Sequence, residues 1–415
     1  MSAIDVPGAT AFHYAYDANK NPVSQSSLDP DDAQSYAYDA EDRLTSFTRA
    51  NGDAQRWDLS LAGDWSQVTR NGVTESRTHD AAHALTSFDG SPVPHDEKGN
   101  TLVSELGDDL TWDFENRLES AYVERYRYDA LGRRVATAKG KAGNTSFVYD
   151  GWRVIAEYEA FGPSPAVART YVFGEHLDEV LMMWDGNRYY VHANRLRSVQ
   201  ALTDDTGALV EAFRYEPYGA LTVLTDPGPD GQWFTGDEPA DVESWVGMPY
   251  AFTGQRLDAM TGLYHYKSRY YSSWFGRFLS RDPIGYEGGT PNLYEYVGSR
   301  PVGAVDPMGT DDDNFVGTQQ QNQGKHCGQM TADNCLFIDE VIKACPQHCS
   351  GAPQGEKVPD EAWKSPQSQQ PPKGKVAQKS AKNAKPDLPL LLMLMGPAVI
   401  ALSRLGKRVV RRRGS

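Results

Sequence analysis

Tyr250-Ala-Phe252-Thr-Gly254-Gln255 opens a run of about sixty residues dense in aromatic residues, glycines and Asp-Pro pairs. Leu263-Tyr264-His265-Tyr266-Lys267-Ser-Arg269-Tyr270-Tyr271 follows, then Gly276-Arg277-Phe278-Leu279-Ser280-Arg281-Asp282-Pro283-Ile284-Gly285. Asn292-Leu293-Tyr294-Glu295-Tyr296-Val297 comes next, and Pro301-Val-Gly-Ala-Val305-Asp306-Pro307-Met308-Gly309 closes the run. Tyr264, Tyr266 and Tyr270 fall at period two, which predicts a strand buried on one face. The two Asp-Pro-x-Gly tetrads predict turns, because proline fixes φ and glycine supplies the positive φ that closes the bend.

Upstream of this run, a tag of Tyr, Trp or His followed by Asp recurs through the first 150 residues. It ends at Asp17, Asp39, Asp58, Asp80, Asp96, Asp113, Asp129 and Asp150, at intervals of 16 to 22 residues. A period near twenty is the mark of a repeat whose units cannot bury their faces alone. It suits a hairpin of two strands and two short turns. In that hairpin the Tyr-x-Tyr rings share one side of the sheet, and Asp opens the turn by accepting backbone N–H bonds. Several units continue with Arg43-Leu44, Arg117-Leu118, Arg134-Val135 or Arg153-Val154.

The composition fits such a body: aromatic residues make up 11% of the chain, with 38 glycines among 415 residues. The formal charge of −15 hides an asymmetry. Residues 366–415 hold eleven Lys/Arg against Asp387 alone, leaving 30 basic and 55 acidic groups for the rest. So acidic a body argues against nucleic acid as its partner, whereas the basic tail suits anionic lipid or nucleic acid. The first 326 residues carry no cysteine, so no disulfide framework holds them. The N-terminus has neither a charged n-region nor an apolar h-region, so no signal peptide is expected there; the chain reads as part of a longer protein.

The closing run resembles the Rhs repeat-associated core, and the tags resemble the YD repeat, as in Rhs/YD-repeat proteins, insecticidal toxin complex C subunits and polymorphic toxins. The resemblance implies an all-β fold in which YD hairpins spiral into a partial hollow shell closed by the core, followed by a mostly disordered tail with a short helix near Asn334–Ala344. The expected organisation is repeats over 1–170, a pre-core β region over 171–249 with an acidic loop at 225–245, and the core over 250–309. A variable cysteine-containing segment then covers 310–350, a Pro/Gln/Ser/Lys-rich linker 351–387, and an apolar segment with a basic end 388–415. Ala193-Asn194-Arg195 departs from the Asp-His-Leu-Gly-like run of relatives.

Asp282 and Asp306 head the two tetrads, 24 residues apart. Two carboxylates at hydrogen-bonding range repel, so one keeps a proton as acid while the other activates water as base. The resemblance implies self-cleavage just beyond the second tetrad, near Thr310, with Arg281 holding Asp282 ionised. By itself, the same pair is ordinary turn chemistry. Thr310 stands where relatives that cut carry Leu, a residue that would fill an apolar subsite. Other candidates are weaker. Asp226, Asp230, Asp237 and Glu238 offer oxygen ligands for Ca²⁺ around glycine turns, but without EF-hand spacing, and a solvated loop explains them as well. Cys327, Cys335, Cys345 and Cys349 allow two disulfides, in any of three pairings, or a zinc site. His192 has no companion that would complete a triad or metal set. No cofactor motif is present: the chain has no P-loop, dinucleotide fingerprint or HExxH.

The function expected is a β-shell that encapsulates or presents its own C-terminal segment as cargo, alone or with other chains of a toxin complex, exported to the cell envelope or beyond. The alternative is a non-enzymatic adhesin or envelope protein that keeps the core without cutting itself. The tail decides little, since 388–402 is 15 residues where a span wants about twenty. A spanning segment, an interfacial helix and a packing segment all stay open for it. A fusion carrying 386–415 should float with vesicles in a salt-resistant way if the apolar run inserts. Complete release by high salt would leave only the attraction of residues 404–413 to lipid charge.

Overall fold

The turns carry the repeat. In a computed structural model of the chain, which describes residues 3–6, 10–140, 143–160, 166–310 and 313–314, the tag aspartates act alike. Asp39 Oδ1 accepts the N–H groups of Glu41 and Arg43 at 2.9 and 3.0 Å. Its own N–H donates to the Arg43 carbonyl. Asp80, Asp96, Asp113 and Asp129 likewise accept the N–H groups two and four residues on, and so does Asp204, which follows Thr203 and lies beyond the tags. The residue three places after the acid takes positive φ, as at Asp42 (61°), Asn116 (61°) and Gly132 (81°). Glycine and short polar side chains tolerate that region best.

Two tags depart from the expected role. Asp58 lies inside the strand Ala54–Leu59, and the turn is opened by Ser60, whose Oγ accepts from Ala62 and Asp64. Asp150 ends a strand and pairs with Arg153 across a tight turn. Asn194, in the departing run, takes the aspartate's place, its side-chain oxygen accepting from Leu196 and Ser198.

Each strand pairs antiparallel with its neighbour in the chain. Ten strands, from Ala3–Val6 to Ser91–Pro92, form one sheet, and thirteen, from Leu110–Trp112 to Ala240–Asp241, a second. Residue 170 falls within the strand Ala166–Phe173, so the second sheet runs unbroken from repeats to pre-core region. A register shift recurs at the second aromatic of the tag, before Tyr16, Tyr38, Tyr128 and Tyr149. A bulge bends its strand and increases twist, so one bulge per unit curls the sheet steadily. The same tyrosines link successive strands: the hydroxyls of Tyr38, Tyr128 and Tyr149 donate to the carbonyls of Pro22, Leu118 and Arg134. Arg43 pairs with Asp39 and reaches the Ser60 carbonyl of the next turn; Arg133 pairs with Asp129 and reaches Gly151.

The core supplies a third sheet, Arg256–Asp258, Leu263–Tyr266, Arg269–Ser272 and Arg277–Phe278. The expectation of one buried face fails here: every residue of Leu263–Tyr266 and Arg269–Ser272 is buried. The reason is packing on both sides. Tyr266, Tyr271, Phe278 and Tyr296 gather with ring centroids 4.6 to 5.9 Å apart. They share one apolar cluster with Leu44, Phe47 and Trp57 of the first sheet and Tyr171, Met183 and Phe213 of the second. Each such side chain contributes roughly 1.5–3 kcal/mol by burial. Gly276 lies flat against the Trp65 ring, with no room for a Cβ.

Buried arginines join sheets to core. Arg77 of the first sheet donates to the Phe275 and Trp274 carbonyls, and Arg256 of the core pairs with Glu157 of the second sheet. The register of one unit differs from the sequence reading. Arg133, not Arg134, matches Arg43 and Arg117, so Arg134 occupies the inward place of Leu44 and Leu118. There Arg134, 1% exposed, meets Asp258 at 2.5 Å and the Tyr270 hydroxyl at 2.9 Å. Glu124 lies in the same buried group, its carboxyl accepting from Tyr126.

Breaking the Arg134–Asp258 pair from one side should cost about 3–5 kcal/mol, because a charge is left buried. Arg134→Leu should therefore lower the melting temperature sharply, and adding Asp258→Leu should restore most of it; two strictly additive losses would refute the pairing. Desolvation, helped by Asp258, pushes the Glu124 carboxyl up to about 7 from an ordinary value near 4.5. The folded form thus holds a proton that the unfolded form has lost between those values, and this contribution to stability disappears as pH rises through 7. Glu124→Gln should gain on the parent chain in thermal denaturation as pH goes from about 5 to about 8. A constant difference would refute it.

Candidate functional site

The core hairpin also brings the two tetrads together. Asp282 follows the Arg277–Phe278 strand, and its N–H donates to the Leu293 carbonyl. Its Oδ1 accepts from Ile284 at 2.9 Å, which closes the first turn. Asp306 follows the strand Ala304–Val305. Its Oδ1 accepts the N–H groups of Gly309 and Thr310 at 2.7 and 3.0 Å. This second turn docks on the bend between the two core strands, where the Ser268 N–H reaches the Met308 carbonyl. Gly309 is demanded twice over: its φ is +72°, and a Cβ would run into the Tyr266 carbonyl. Beyond the turn the chain folds back, and Asp313–Asn314 pairs antiparallel with Ala304–Val305.

The two carboxylates converge on Arg269. Its Nη2 lies 3.1 Å from Asp282 Oδ2 and 3.3 Å from Asp306 Oδ2. Its Nε donates to the Gly309 carbonyl at 2.5 Å and its Nη1 to the Leu293 carbonyl at 3.2 Å. The guanidinium lies over the Phe278 ring, 3.5 Å from its centroid. Arg269 and Asp306 are 4% and 3% exposed, so these charges face one another at low dielectric. The pair expected to lie at hydrogen-bonding range of each other, with Arg281 beside it, is instead bridged by the Arg269 guanidinium. Arg281, expected to hold Asp282, turns to the Tyr294 hydroxyl at 3.2 Å. Sequence reasoning missed Arg269, although a signal existed: a cation amid tyrosines on a buried strand requires an acidic partner. The neighbouring Lys267 meets Asp178 and donates to Gln255, and burial lowers its pKa against the pull of that carboxylate.

The other candidates that fall within the described residues do not assemble. In the acidic loop, Asp226, Asp230 and Glu238 accept backbone N–H groups of the loop itself, and Asp237 accepts the Thr235 hydroxyl. Among the described residues, no three His, Cys, Asp or Glu side chains come together as a metal site. His192 Nε2 is hydrogen-bonded to the Thr203 hydroxyl at 2.9 Å. The four cysteines, the segment Asn334–Ala344 and the run 388–402 lie outside the described residues. No described helix is long and apolar enough to cross a membrane.

Comparison with known proteins agrees with this construction. A family model described as Teneurin YD-shell matches residues 8–302. The tRNA nuclease WapA of Bacillus subtilis is 29% identical over 287 residues, covering 66% of this chain and 12% of that protein. Toxin protein Tse5 of Pseudomonas aeruginosa is 26% identical over 335 residues, covering 66% of this chain and 25% of that protein. The chain thus spans a quarter or less of these relatives. The crystal structure of TcdB2-TccC3 superposes with a TM-score of 0.58 at 19% identity, over 72% of this chain and 17% of that one. The hairpin spiral, the core and the span of the match together make this chain a member of the Teneurin YD-shell family, related to polymorphic toxins and toxin-complex components.

Proposed function

We propose that the chain is the closing part of a YD-shell toxin-type protein whose core cuts its own backbone beside Thr310. The observation that carries this is the convergence of Asp282 and Asp306 on Arg269, with the Gly309–Thr310 peptide hydrogen-bonded into the same group. Asp306, already an acceptor of two N–H groups, takes a proton from a water molecule. The water oxygen then bonds to the Thr310 carbonyl carbon as Asp282 gives a proton to the carbonyl oxygen. Collapse of the tetrahedral intermediate breaks the C–N bond: Asp306 passes the proton it took from water to the departing nitrogen, which leaves as an amine, and a hydroxyl of the intermediate returns its proton to Asp282, leaving a carboxyl group. Arg269 holds the ionised Asp306 and the protonated Asp282 in position, one guanidinium nitrogen facing an oxygen of each.

The residues after the cut are then the segment the shell presents. The core's aromatics pack in one buried cluster with residues of both sheets, which favours presentation over enclosure by this part of the protein. Export to the envelope or beyond, and assembly with other chains, fit the names of the toxin relatives. One observation favours a second reading, a non-cutting envelope or adhesin protein. Asp306 already serves the second turn as its N–H acceptor, a structural task sufficient to explain its presence.

Intact-mass measurement separates the two. Self-cleavage should give fragments near residues 1–310 and 311–415, and Asp282→Asn or Asp306→Asn should leave the chain whole. Thr310→Leu should speed the cut if the apolar subsite limits it. An uncut 45.9 kDa chain in both the parent and Thr310→Leu would make the pair structural.

A further inference from the structure

We propose that Gly288 is a positioning residue for the cut, a site kept bare so that the Asp282 carboxylate and the Thr310 carbonyl can meet. The inference rests on the self-cleavage proposed above. After its tetrad the chain makes a 3-10 turn over Gly285–Gly288 and returns toward the carboxylate that began it. A Cβ placed on Gly288 would stand 3.2 Å from Asp282 Oδ2 and 3.2 Å from the Thr310 carbonyl oxygen, with Ile284 Cδ1 next at 3.7 Å. The acid and the carbonyl it must protonate therefore both border the space that a side chain would fill. Backbone conformation does not demand glycine here. The glycines with positive φ in this segment are Gly285 at +61° and Gly289 at +83°, and Gly288 is not among them.

That contrast makes the neighbours good controls. A Cβ on Gly285 or Gly289 would meet nothing within 4 Å, but it would strain the backbone. At Gly288 the backbone accepts alanine, and the methyl group would stand a few tenths of an ångström too close to both oxygens, so that one or both must give way. A misplacement of that size costs a rate far more than it costs a fold.

The experiment follows the first-order appearance of the 311–415 fragment by mass spectrometry in the full chain, together with the melting temperature and the pH–rate profile. Gly288→Ala should cut about tenfold to a hundredfold more slowly at a near-parental melting temperature, and Gly288→Val more slowly still. The residual cut should show a changed pH–rate profile, since proton delivery from Asp282 is what suffers. Gly289→Ala should do the opposite, melting lower while cutting at close to the parental rate. A Gly288→Ala chain that cuts at the parental rate overturns the assignment while self-cleavage stands. Slower cutting with an unchanged pH profile and a lowered melting temperature makes Gly288 structural and also overturns it. If neither the parent nor Thr310→Leu cuts, the self-cleavage reading fails and takes this assignment with it.

Discussion

A sheet built only from neighbouring hairpins has one apolar face and nothing of its own to lay on it. This constraint governs the molecule. Twenty-three strands pair in chain order through two sheets, and their inward residues, such as Leu44, Phe47, Trp57, Tyr171 and Phe213, need a partner surface. The segment 250–309 provides it, by presenting aromatic rings on both sides of a short third sheet. The sheets in turn remove the core from water, which allows its strands to be buried throughout. Neither part has a sensible packing without the other.

Burying a two-faced core brings cations inside. Arg134, Arg256, Arg269 and Arg277 each sit where an uncharged residue would pack more simply, and each finds an acidic or carbonyl partner on a different piece of chain. Three of these meetings fasten sheets to core. The fourth, at Arg269, fastens two turns of the core to one another and to the peptide that leaves it. The candidate site is thus the same device as the structural joints, differing in that a second carboxylate and the passing backbone meet on one guanidinium.

Much of this was legible before any coordinates. The interval of 16 to 22 residues and the Asp-led turns follow from which side chains can accept two N–H groups at once, and the turns at Asp39, Asp113 and Asp129 bear that out. What escaped notice was register and partnership. Serine and asparagine supply the same acceptor oxygen as aspartate, so the turns at Ser60 and Asn194 carried no visible tag. A one-residue shift at Arg133-Arg134 decides which arginine faces inward, and local pattern alone does not reveal it. The partner of Asp282 lies thirteen positions back along the chain, at Arg269, and only the folded hairpin makes the two neighbours.

The strand order also fixes a sequence of events. Pairing between chain neighbours closes only short loops, so the hairpins can form one after another as the chain is made. The core's contacts are of another kind: Arg77 reaches Phe275 across 198 positions, and Asn292 reaches Asp64 across 228. These must wait until the last strands exist. Arg269, Asp282 and Asp306 all belong to that late part of the chain, so a molecule stalled with its wall half built has no assembled centre. The groups beside Thr310 therefore come together last, after the strands they pack upon have been made.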